Sequence, residues 1–200
     1  MNLGLIIIDD FYDDPDSIRD IALSCEYFED KKSLGYKFGN APWPGKMSKK
    51  THAPSWVDVK ISKLLNKNIR QLRQIDTGAF RISKEGTQSS NMLHADSAES
   101  TYYAGVVYLN KNKEDTPGTI FYKQKSTNSD RAISQAHLDQ IVKDDEFNQL
   151  DKWTIHTVSN IVYNRFLLYP ANKFHGIGPV FGDTDENARM VQIFNFIEIK

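Results

Sequence analysis

From about residue 69 onward, the sequence consists mainly of short β-branched and aromatic runs separated by turn residues. Such runs are typical of β-strands, because branched and aromatic side chains pack well on a pleated sheet. The last run is almost continuously apolar, as expected of a strand whose two faces are both covered. Roughly eight strands are predicted, in the runs "IRQLRQID", "AFRIS", "TYYAGVVYLN", "GTIFYK", "WTIHTVS", "NRFLLYP", "KFHGIGPVF" and "ARMVQIFNFIEI".

The segment before these runs predicts two helices. Asp14 is a candidate N-cap, Pro15 occupies the first helical position, and an apolar stripe follows at helical spacing as far as Cys25. A second helix is predicted to start near Pro54 and to present its own apolar stripe. These features add a helical layer to a mainly β chain.

Other segments have simpler patterns. The apolar run over 3–9 predicts a strand, and the segment 32–54, rich in Gly, Pro and Lys, predicts a long ordered loop. Within that loop, the cluster "KMSKK" at 46–50 is interpreted as solvated.

The polar segment over about 129–152 predicts a helix plus loop inserted between strands. Two interpretations of the wider segment 124–152 stay open: it covers the mouth of the fold and contacts substrate, or it is a surface helix.

Two helices followed by strands predict an α+β, mainly β fold. We expect a double-stranded β-helix (jelly roll) with the N-terminal helices packed on one sheet. A chain of 200 residues fits one domain. In this interpretation 1–69 forms a helical N-terminal layer, and 70–200 forms the jelly-roll core with its helical insert.

Composition excludes several classes of protein. The formal net charge is −1, so no general basic field attracts nucleic acid. A single cysteine, Cys25, excludes an internal disulfide framework and suits a reducing compartment. No stretch approaches the roughly 18 apolar residues of a membrane span, and the N-terminus lacks the pattern of a signal peptide. We therefore expect a cytoplasmic protein that is not bound to membrane; its oligomeric state is left open.

A His-x-Asp pair, His94 and Asp96, precedes one of the predicted strands. On an extended backbone, residues i and i+2 point to the same face, so these side chains would converge. They form either a hydrogen-bonded surface pair or two ligands of a metal. His175 would start a strand facing back into the barrel and is the preferred third ligand over His52, His137 and His156. Two histidines and one carboxylate suit a non-haem Fe(II) oxygenase, because they leave coordination positions open.

Arg189 opens the last predicted strand. An arginine at the start of an apolar strand is costly to bury unless it meets a carboxylate or phosphate. The alternative is an exposed side chain at the strand end, paired with Asp183, Asp185 or Glu186.

Five motifs, "HAD", "YLN", "PGT", "NRFLLYPANKFHGIGPV" and "ARMVQIFNF", together resemble the 2-oxoglutarate- and Fe(II)-dependent dioxygenases. Their order and spacing are most similar to the prolyl-hydroxylase-like branch, and the resemblance covers about 70–200. It implies that His94, Asp96 and His175 ligate iron and that Arg189 anchors the distal carboxylate of 2-oxoglutarate. Tyr108, in "YLN", matches a donor to the same carboxylate; an ordinary core aromatic is the alternative.

The sequence departs from that branch in three respects near the implied site. Pro117-Gly118 stands where the branch often has Gly-Gly, the loop from His175 to Arg189 is longer than usual, and Val191 stands where many members have Ser or Thr. Arg165 and Arg81 are alternative carboxylate anchors, since each adjoins an apolar strand. These departures concern the cosubstrate more than the iron site.

The resemblance implies Fe(II), 2-oxoglutarate as cosubstrate and O₂. It favours hydroxylation or oxidative demethylation, since halogenating members lack the carboxylate that Asp96 provides. The expected substrate is a small molecule or peptide, including a prolyl or other amino-acid residue; nucleic acid is disfavoured by the charge. Beyond the metal and cosubstrate ligands, no catalytic residue is predicted. Two competing interpretations are a non-catalytic jelly-roll module and a cupin-type metalloenzyme that does not use 2-oxoglutarate.

Overall fold

The computed structural model describes residues 4–28, 45–72, 76–87 and 93–199. Within these ranges the chain forms three α-helices and eleven β-strands. The helices are α1 (Pro15–Ser24), α2 (Trp56–Leu65) and α3 (Gln135–Lys143), with two short 3-10 turns at Glu146–Asn148 and Leu150–Lys152. The strands are β1 (Ile6–Ile8), β2 (Tyr27–Phe28), β3 (Lys46–Thr51), β4 (Ile69–Gln71), β5 (Ala79–Ser83), β6 (Tyr102–Tyr108), β7 (Pro117–Gln124), β8 (Trp153–Asn160), β9 (Phe166–Pro170), β10 (His175–Ile177) and β11 (Arg189–Glu198).

The strands form two antiparallel sheets. The large sheet has eight strands in the order β1-β9-β6-β11-β5-β3-β2, and β4 also pairs with β11. The small sheet has three strands in the order β10-β7-β8. Phe121 of the small sheet packs with Tyr169 and Val191 of the large sheet, so the two sheets face each other across an apolar layer.

The N-terminal helices cover the outer face of the large sheet. Pro15 starts α1, and the side chain of Asp14 accepts a hydrogen bond from the backbone N–H of Ser17, as the predicted cap requires. The helices bury apolar side chains in one cluster with the sheet, formed by Ile18, Ala22, Val57, Ile61, Phe80, Val107, Phe166, Phe194 and Phe196. This cluster supplies the hydrophobic contact that holds both helices to the sheet.

The prediction of a mainly β fold with helices on one sheet agrees with the structure, and each predicted strand run contains a strand. The interpretation of 46–50 as a solvated loop is wrong. This segment forms β3, which lies between β2 and β5; Met47 and Ser48 are buried, while the lysines that follow reach solvent. The rest of the predicted loop, 32–44, lies outside the described residues.

The first 69 residues supply strands as well as helices, since β1, β2 and β3 belong to the large sheet. The division into a 1–69 layer and a 70–200 core stays a prediction, and so does the jelly-roll connectivity. Among the described residues, no helix is both long enough and apolar enough to cross a membrane.

Gly105 generates a testable prediction about the packing of the large sheet. It lies in the middle of β6, where an added Cβ would come within 2.6 Å of the Phe166 ring and 3.1 Å of Phe196. Phe166 is itself stacked on Phe11 at 4.4 Å, so it has little room to move. We expect Gly105→Ala to lower the free energy of unfolding by about 1–3 kcal/mol, measured by urea denaturation.

Gly4→Ala is the matched control, because an added Cβ there meets nothing within 4 Å. Its free energy of unfolding should stay within about 0.5 kcal/mol of the wild type. A Gly105→Ala variant as stable as Gly4→Ala would contradict the described packing between β6 and its neighbours.

Candidate metal and cosubstrate site

Backbone hydrogen bonds bring His94 and His175 side by side. The N–H of His94 donates to the carbonyl of His175 at 2.8 Å, and the N–H of His175 donates back at 2.9 Å. Two residues later, the N–H of Asp96 donates to the carbonyl of Ala171 at 2.9 Å. These bonds hold the His-x-Asp segment alongside the start of β10, so the three side chains meet although they lie far apart in sequence.

The side chains of His94, Asp96 and His175 converge on one point. Nε2 of His94 lies 3.2 Å from Oδ1 of Asp96, and Nε2 of His175 lies 3.7 Å from Oδ2 of the same carboxylate. The three potential ligand atoms all lie within 4.8 Å of one another. In the part of the chain that the structure describes, this is the single cluster of its kind. The spacing fits one small divalent ion, with coordination positions left open.

The other histidines lie outside this cluster. The ring of His137 contacts the side-chain amide oxygen of Gln124 at 2.8 Å, and His156 is exposed on β8. His52 is half-buried, and its carbonyl accepts a hydrogen bond from Gln192. The structure therefore brings together the three residues that the sequence singled out. Their role as iron ligands stays a prediction.

Burial and neighbouring charges place His175 and Asp96 in the protonation states that bind metal. Burial, together with the charge of His94, lowers the pKa of His175 to about 4. Burial alone would raise the pKa of Asp96, but His175, His94 and Arg81 outweigh it and lower that pKa below its usual value. A neutral imidazole and an ionised carboxylate are the forms that coordinate a divalent ion.

The orientation of the His175 ring follows from one hydrogen bond. Its Nδ1 lies 2.9 Å from the carbonyl oxygen of Lys173, and a carbonyl only accepts, so Nδ1 carries the proton. Nε2 therefore keeps its lone pair and points toward Asp96. This is the arrangement in which a histidine ligand is fixed by a partner on its second nitrogen.

Arg189 is buried at the start of β11, so the alternative of an exposed side chain at the strand end is wrong. Its Nη2 donates to the carbonyl of Gly118 at 3.1 Å, whereas Nε is buried with no hydrogen-bond partner in the described part of the chain. Asp185, one of the acids considered as its partner, pairs with Lys46 and Lys84 instead. Burial lowers the pKa of the Arg189 guanidinium, and a buried cation with an unsatisfied donor fits an anionic ligand.

The two alternative arginines have different surroundings. Arg165 is held by Asp9 through two hydrogen bonds, of 2.6 and 3.0 Å, so its guanidinium already has a carboxylate. Arg81 pairs with Val191 in the ladder between β5 and β11, which places it on the inner face of the large sheet. Of the three arginines, Arg189 has the unsatisfied donor.

Tyr108 and Gly118 complete the wall beside Arg189. The hydroxyl of Tyr108 is 2.7 Å from that of Thr119, and an added Cβ on Gly118 would come within 2.7 Å of the Tyr108 ring. A residue without a side chain is therefore needed where β7 passes the tyrosine. Because Gly118 also accepts from Arg189, the retained glycine of "PGT" connects both predicted cosubstrate residues. The sequence pattern gives Thr119 no role, although this residue ends the motif "PGT", because only the structure shows its contact with Tyr108.

The helical insert packs behind the metal-ligand segments. Leu93 and Ala95 flank His94, Phe174 precedes His175, and all three pack in one cluster with Ile141 of α3. Because side chains alternate along an extended backbone, this cluster lies on the side opposite to the convergent ligands. The structure therefore does not support the interpretation in which the insert covers the mouth.

The fold is similar to that of several solved structures, among them a prolyl-4-hydroxylase and an α-ketoglutarate-dependent epimerase. HygX from Streptomyces hygroscopicus, solved with nickel, 2-oxoglutarate and hygromycin B, superposes with a TM-score of 0.50 at 13% identity, over 98% of this chain and 83% of HygX. A Pseudomonas putida prolyl-4-hydroxylase gives 0.51 at 10% identity, over 98% and 93% of the two chains. SnoN, a non-haem α-ketoglutarate-dependent epimerase of nogalamycin biosynthesis, gives 0.50 at 13% identity, over 98% and 78%.

At these identities the likeness establishes the fold alone. A family model covers residues 2–179, and the chain belongs to that family, DUF6445, a family of unknown function. The matched range contains the three clustered side chains and ends before Arg189. No curated protein matches the sequence.

Proposed function

We propose that this protein is an Fe(II)- and 2-oxoglutarate-dependent oxygenase. The observation that carries the proposal is an open His-Asp-His cluster together with Arg189, whose buried guanidinium has one donor without a partner in the described part of the chain. Both lie between the two facing sheets, in a space that we call the chamber: Arg189 of β11 reaches Gly118 of β7, and His175 of β10 packs against Tyr169 of β9. His94, Asp96 and His175 would hold the iron, and Arg189 with Tyr108 would hold the distal carboxylate of 2-oxoglutarate. HygX, whose fold is similar, was solved with nickel and 2-oxoglutarate bound, which supports this choice of ligands.

The framework we propose is a single jelly-roll domain. Residues 70–200 would supply most strands of the two facing sheets, while 1–69 would add β1, β2 and β3 to the large sheet and cover its outer face with α1 and α2. The contact of Phe121 with Tyr169 between the sheets supports this arrangement. The unpaired Cys25 fits the cytoplasmic location that we also propose.

Each side chain of the chamber has a distinct task in the proposed reaction. When bound, Fe(II), 2-oxoglutarate and O₂ supply the oxidising chemistry that the protein's own groups lack. Asp96 offsets part of the charge of the cation, and His175 presents Nε2 because Lys173 holds its other nitrogen. Arg189 provides charge and a free donor for a carboxylate, and Tyr108 stays a neutral donor because burial raises its pKa.

Aromatic rings line the chamber beside His175. The ring of Tyr169 lies 4.7 Å from that of His175, and the ring of Phe121 lies 6.3 Å away. Both aromatic residues are buried. Because Arg189 is itself buried, its attraction to a bound carboxylate would be only weakly screened by solvent.

We propose hydroxylation, or oxidative demethylation, of a small molecule or a peptide, with a prolyl or other amino-acid residue as the preferred class. The proteins with a similar fold include a prolyl-4-hydroxylase and an epimerase, so the fold alone does not fix the reaction. The carboxylate of Asp96 favours hydroxylation over halogenation. A formal net charge of −1 disfavours a nucleic-acid substrate.

One experiment separates this proposal from its two competitors. Binding of 2-oxoglutarate is measured without oxygen, with and without Fe(II). Peptide and amino-acid pools are then incubated in air and screened by mass spectrometry for the gain of one oxygen or the loss of a methyl group. A non-catalytic module would show no Fe(II)-dependent binding of 2-oxoglutarate. A cupin-type enzyme would be active without 2-oxoglutarate.

The metal ligands generate a prediction. We expect Asp96→Ala to abolish turnover and to weaken Fe(II) binding by more than about 100-fold, because changes to a ligand's partners alone cost about 10- to 100-fold. His156→Ala is the control, since this exposed histidine of β8 lies outside the cluster. Isothermal titration without oxygen measures both affinities. Loss of metal binding in His156→Ala, with Asp96→Ala unaffected, would contradict the assignment.

Arg189 generates a second prediction. Removing one partner of a buried charge pair typically costs about 2–5 kcal/mol, or roughly 30- to 4000-fold in affinity. We expect Arg189→Ala to weaken 2-oxoglutarate binding by that order and to leave Fe(II) binding nearly intact. Arg189→Lys should fall between, because it keeps the charge and loses the planar pair of donors.

Arg165→Ala is the matched control for Arg189→Ala. It removes a partly buried arginine that is already held by Asp9, and it should leave 2-oxoglutarate affinity unchanged. If Arg165→Ala loses 2-oxoglutarate binding while Arg189→Ala keeps it, the carboxylate anchor is Arg165 and the iron site is unaffected.

Tyr108 generates a third prediction about the same ligand. Tyr108→Phe keeps the ring packed against Gly118 and removes the hydroxyl. We expect 2-oxoglutarate affinity to fall by about 2- to 10-fold, the range of one neutral hydrogen bond. An unchanged affinity in the same titration would mean that Tyr108 is an ordinary core aromatic.

A further inference from the structure

A buried ion pair lies directly beside the predicted metal ligand His175. The ammonium group of Lys173, which is only 5% exposed, pairs with a carboxylate oxygen of Asp130. The other oxygen of Asp130 accepts from Nε of Arg131 at 2.9 Å. Burial opposes ionisation of Asp130, but the hydrogen bonds from Arg131 and Lys173 outweigh it and lower its pKa to about 2. The carboxylate is therefore charged at neutral pH.

Backbone hydrogen bonds support the same contact. The segment 129–132, which begins the helical insert, runs antiparallel to 172–174 with Arg131 opposite Lys173. The N–H of Phe174 donates to the carbonyl of Asp130 at 3.0 Å, and the N–H of Ala132 donates to that of Asn172 at 2.8 Å. The insert is thus joined to the chain immediately before His175.

Lys173 connects this contact to the metal cluster. Its ammonium group reaches Asp130, and its carbonyl accepts the hydrogen bond from Nδ1 of His175. That carbonyl sets the orientation of the imidazole and leaves Nε2 facing Asp96. Displacement of Lys173 would therefore move the hydrogen-bond partner of a metal ligand.

We propose that the Asp130–Lys173 ion pair is a positioning device for the metal centre. It fixes Lys173 so that its carbonyl holds the His175 ring with Nε2 toward the ion. The inference rests on the proposed function, because it takes His175 to be a metal ligand. Partners on the second nitrogen of histidine ligands typically contribute about 10- to 100-fold to metal affinity.

The rival explanation is that the ion pair only stabilises the fold. The apolar cluster of Ile141 with Phe174 already attaches the insert to this strand. A purely stabilising pair would lower the resistance to unfolding and leave the folded metal site unchanged. Coordination of a spectroscopic metal therefore separates the two explanations.

The experiment titrates the apoprotein with Co(II), without 2-oxoglutarate, and follows the visible absorption bands of the bound ion. We expect Asp130→Asn and Lys173→Met to raise the Kd for Co(II) by about 10- to 100-fold and to change the bands, because the His175 ring loses its fixed orientation. Lys173→Arg keeps the charge pair and should bind within about 3-fold of the wild type. Circular dichroism checks that each variant is folded at the temperature used.

Asp139→Asn is the matched control. Asp139 lies in α3 of the same insert and contacts the exposed Gln135 at 2.7 Å, away from the metal cluster. Its Co(II) affinity and spectrum should equal those of the wild type. If both neutral variants fail to fold, Asp130→Glu replaces them; it keeps the charge but lengthens the side chain, and weaker Co(II) binding with altered bands is again expected.

The possible results distinguish the inference from the proposed function. If His175→Ala weakens Co(II) binding but the ion-pair variants match the wild type in Kd and spectrum, the positioning role is overturned and the metal site stands. If the wild type binds no Co(II), or His175→Ala binds it normally, the metal site fails and the inference fails with it. Weaker binding with altered bands in Asp130→Asn, Lys173→Met and His175→Ala, with Lys173→Arg and Asp139→Asn close to the wild type, supports the inference.

Discussion

The reciprocal backbone pairing of His94 with His175 is the contact on which the site depends. Each residue donates its N–H to the carbonyl of the other, so the pairing fixes the separation and the direction of both imidazoles. Asp96 follows because its own N–H is bonded to Ala171. His94 and His175 are distant in sequence and meet through a sheet contact. The cluster therefore exists only when the surrounding strands are in place. The chemistry is therefore tied to the long-range topology of the fold.

A second constraint is the position of Arg189 at the start of β11. This strand pairs with β6 on one side and with β4 and β5 on the other, so it lies in the interior of the large sheet. Its first residue cannot reach solvent without disturbing those pairings, and its charge is instead placed in the chamber between the sheets. A buried cation lowers stability unless an anion meets it. The same buried guanidinium of Arg189 therefore lowers the stability of the fold and would provide the proposed binding site for a carboxylate.

Much of this arrangement follows from the sequence. Strand runs are predictable because β-branched and aromatic residues repeat between turns, and α1 is predictable because Asp14 and Pro15 form a recognisable start. The three clustered side chains are predictable as a hypothesis, since two share an i, i+2 spacing and the third opens a strand. The unsatisfied Nε of Arg189 is not predictable, because it depends on what every neighbouring side chain does.

Three features that the sequence did not predict depend on partners that are distant in sequence. The lysine-rich segment forming β3 has little strand character, yet β2 and β5 pair with it on both sides, and tertiary pairing overrides local propensity. The role of Gly118 becomes visible once Tyr108 is placed against it. Lys173 resembles an ordinary surface lysine until the insert brings Asp130 to it. In each case the partner lies outside the window in which a sequence pattern is read.

Side chains point alternately to the two faces of the segments that carry His94, Asp96 and His175. Neighbouring residues therefore have different roles, one set packing against α3 and the other forming the cluster. Leu93, Ala95 and Phe174 are directed into the cluster under α3, while the interleaved His94, Asp96 and His175 converge on the other side. A shift of either segment by one residue would exchange these two sets, burying the ligands in an apolar cluster and exposing the apolar side chains. The packing of α3 therefore opposes such a slip, because it stabilises the register in which the ligands face the chamber. The insert thus packs against the backbone that carries the clustered side chains without reaching those side chains themselves.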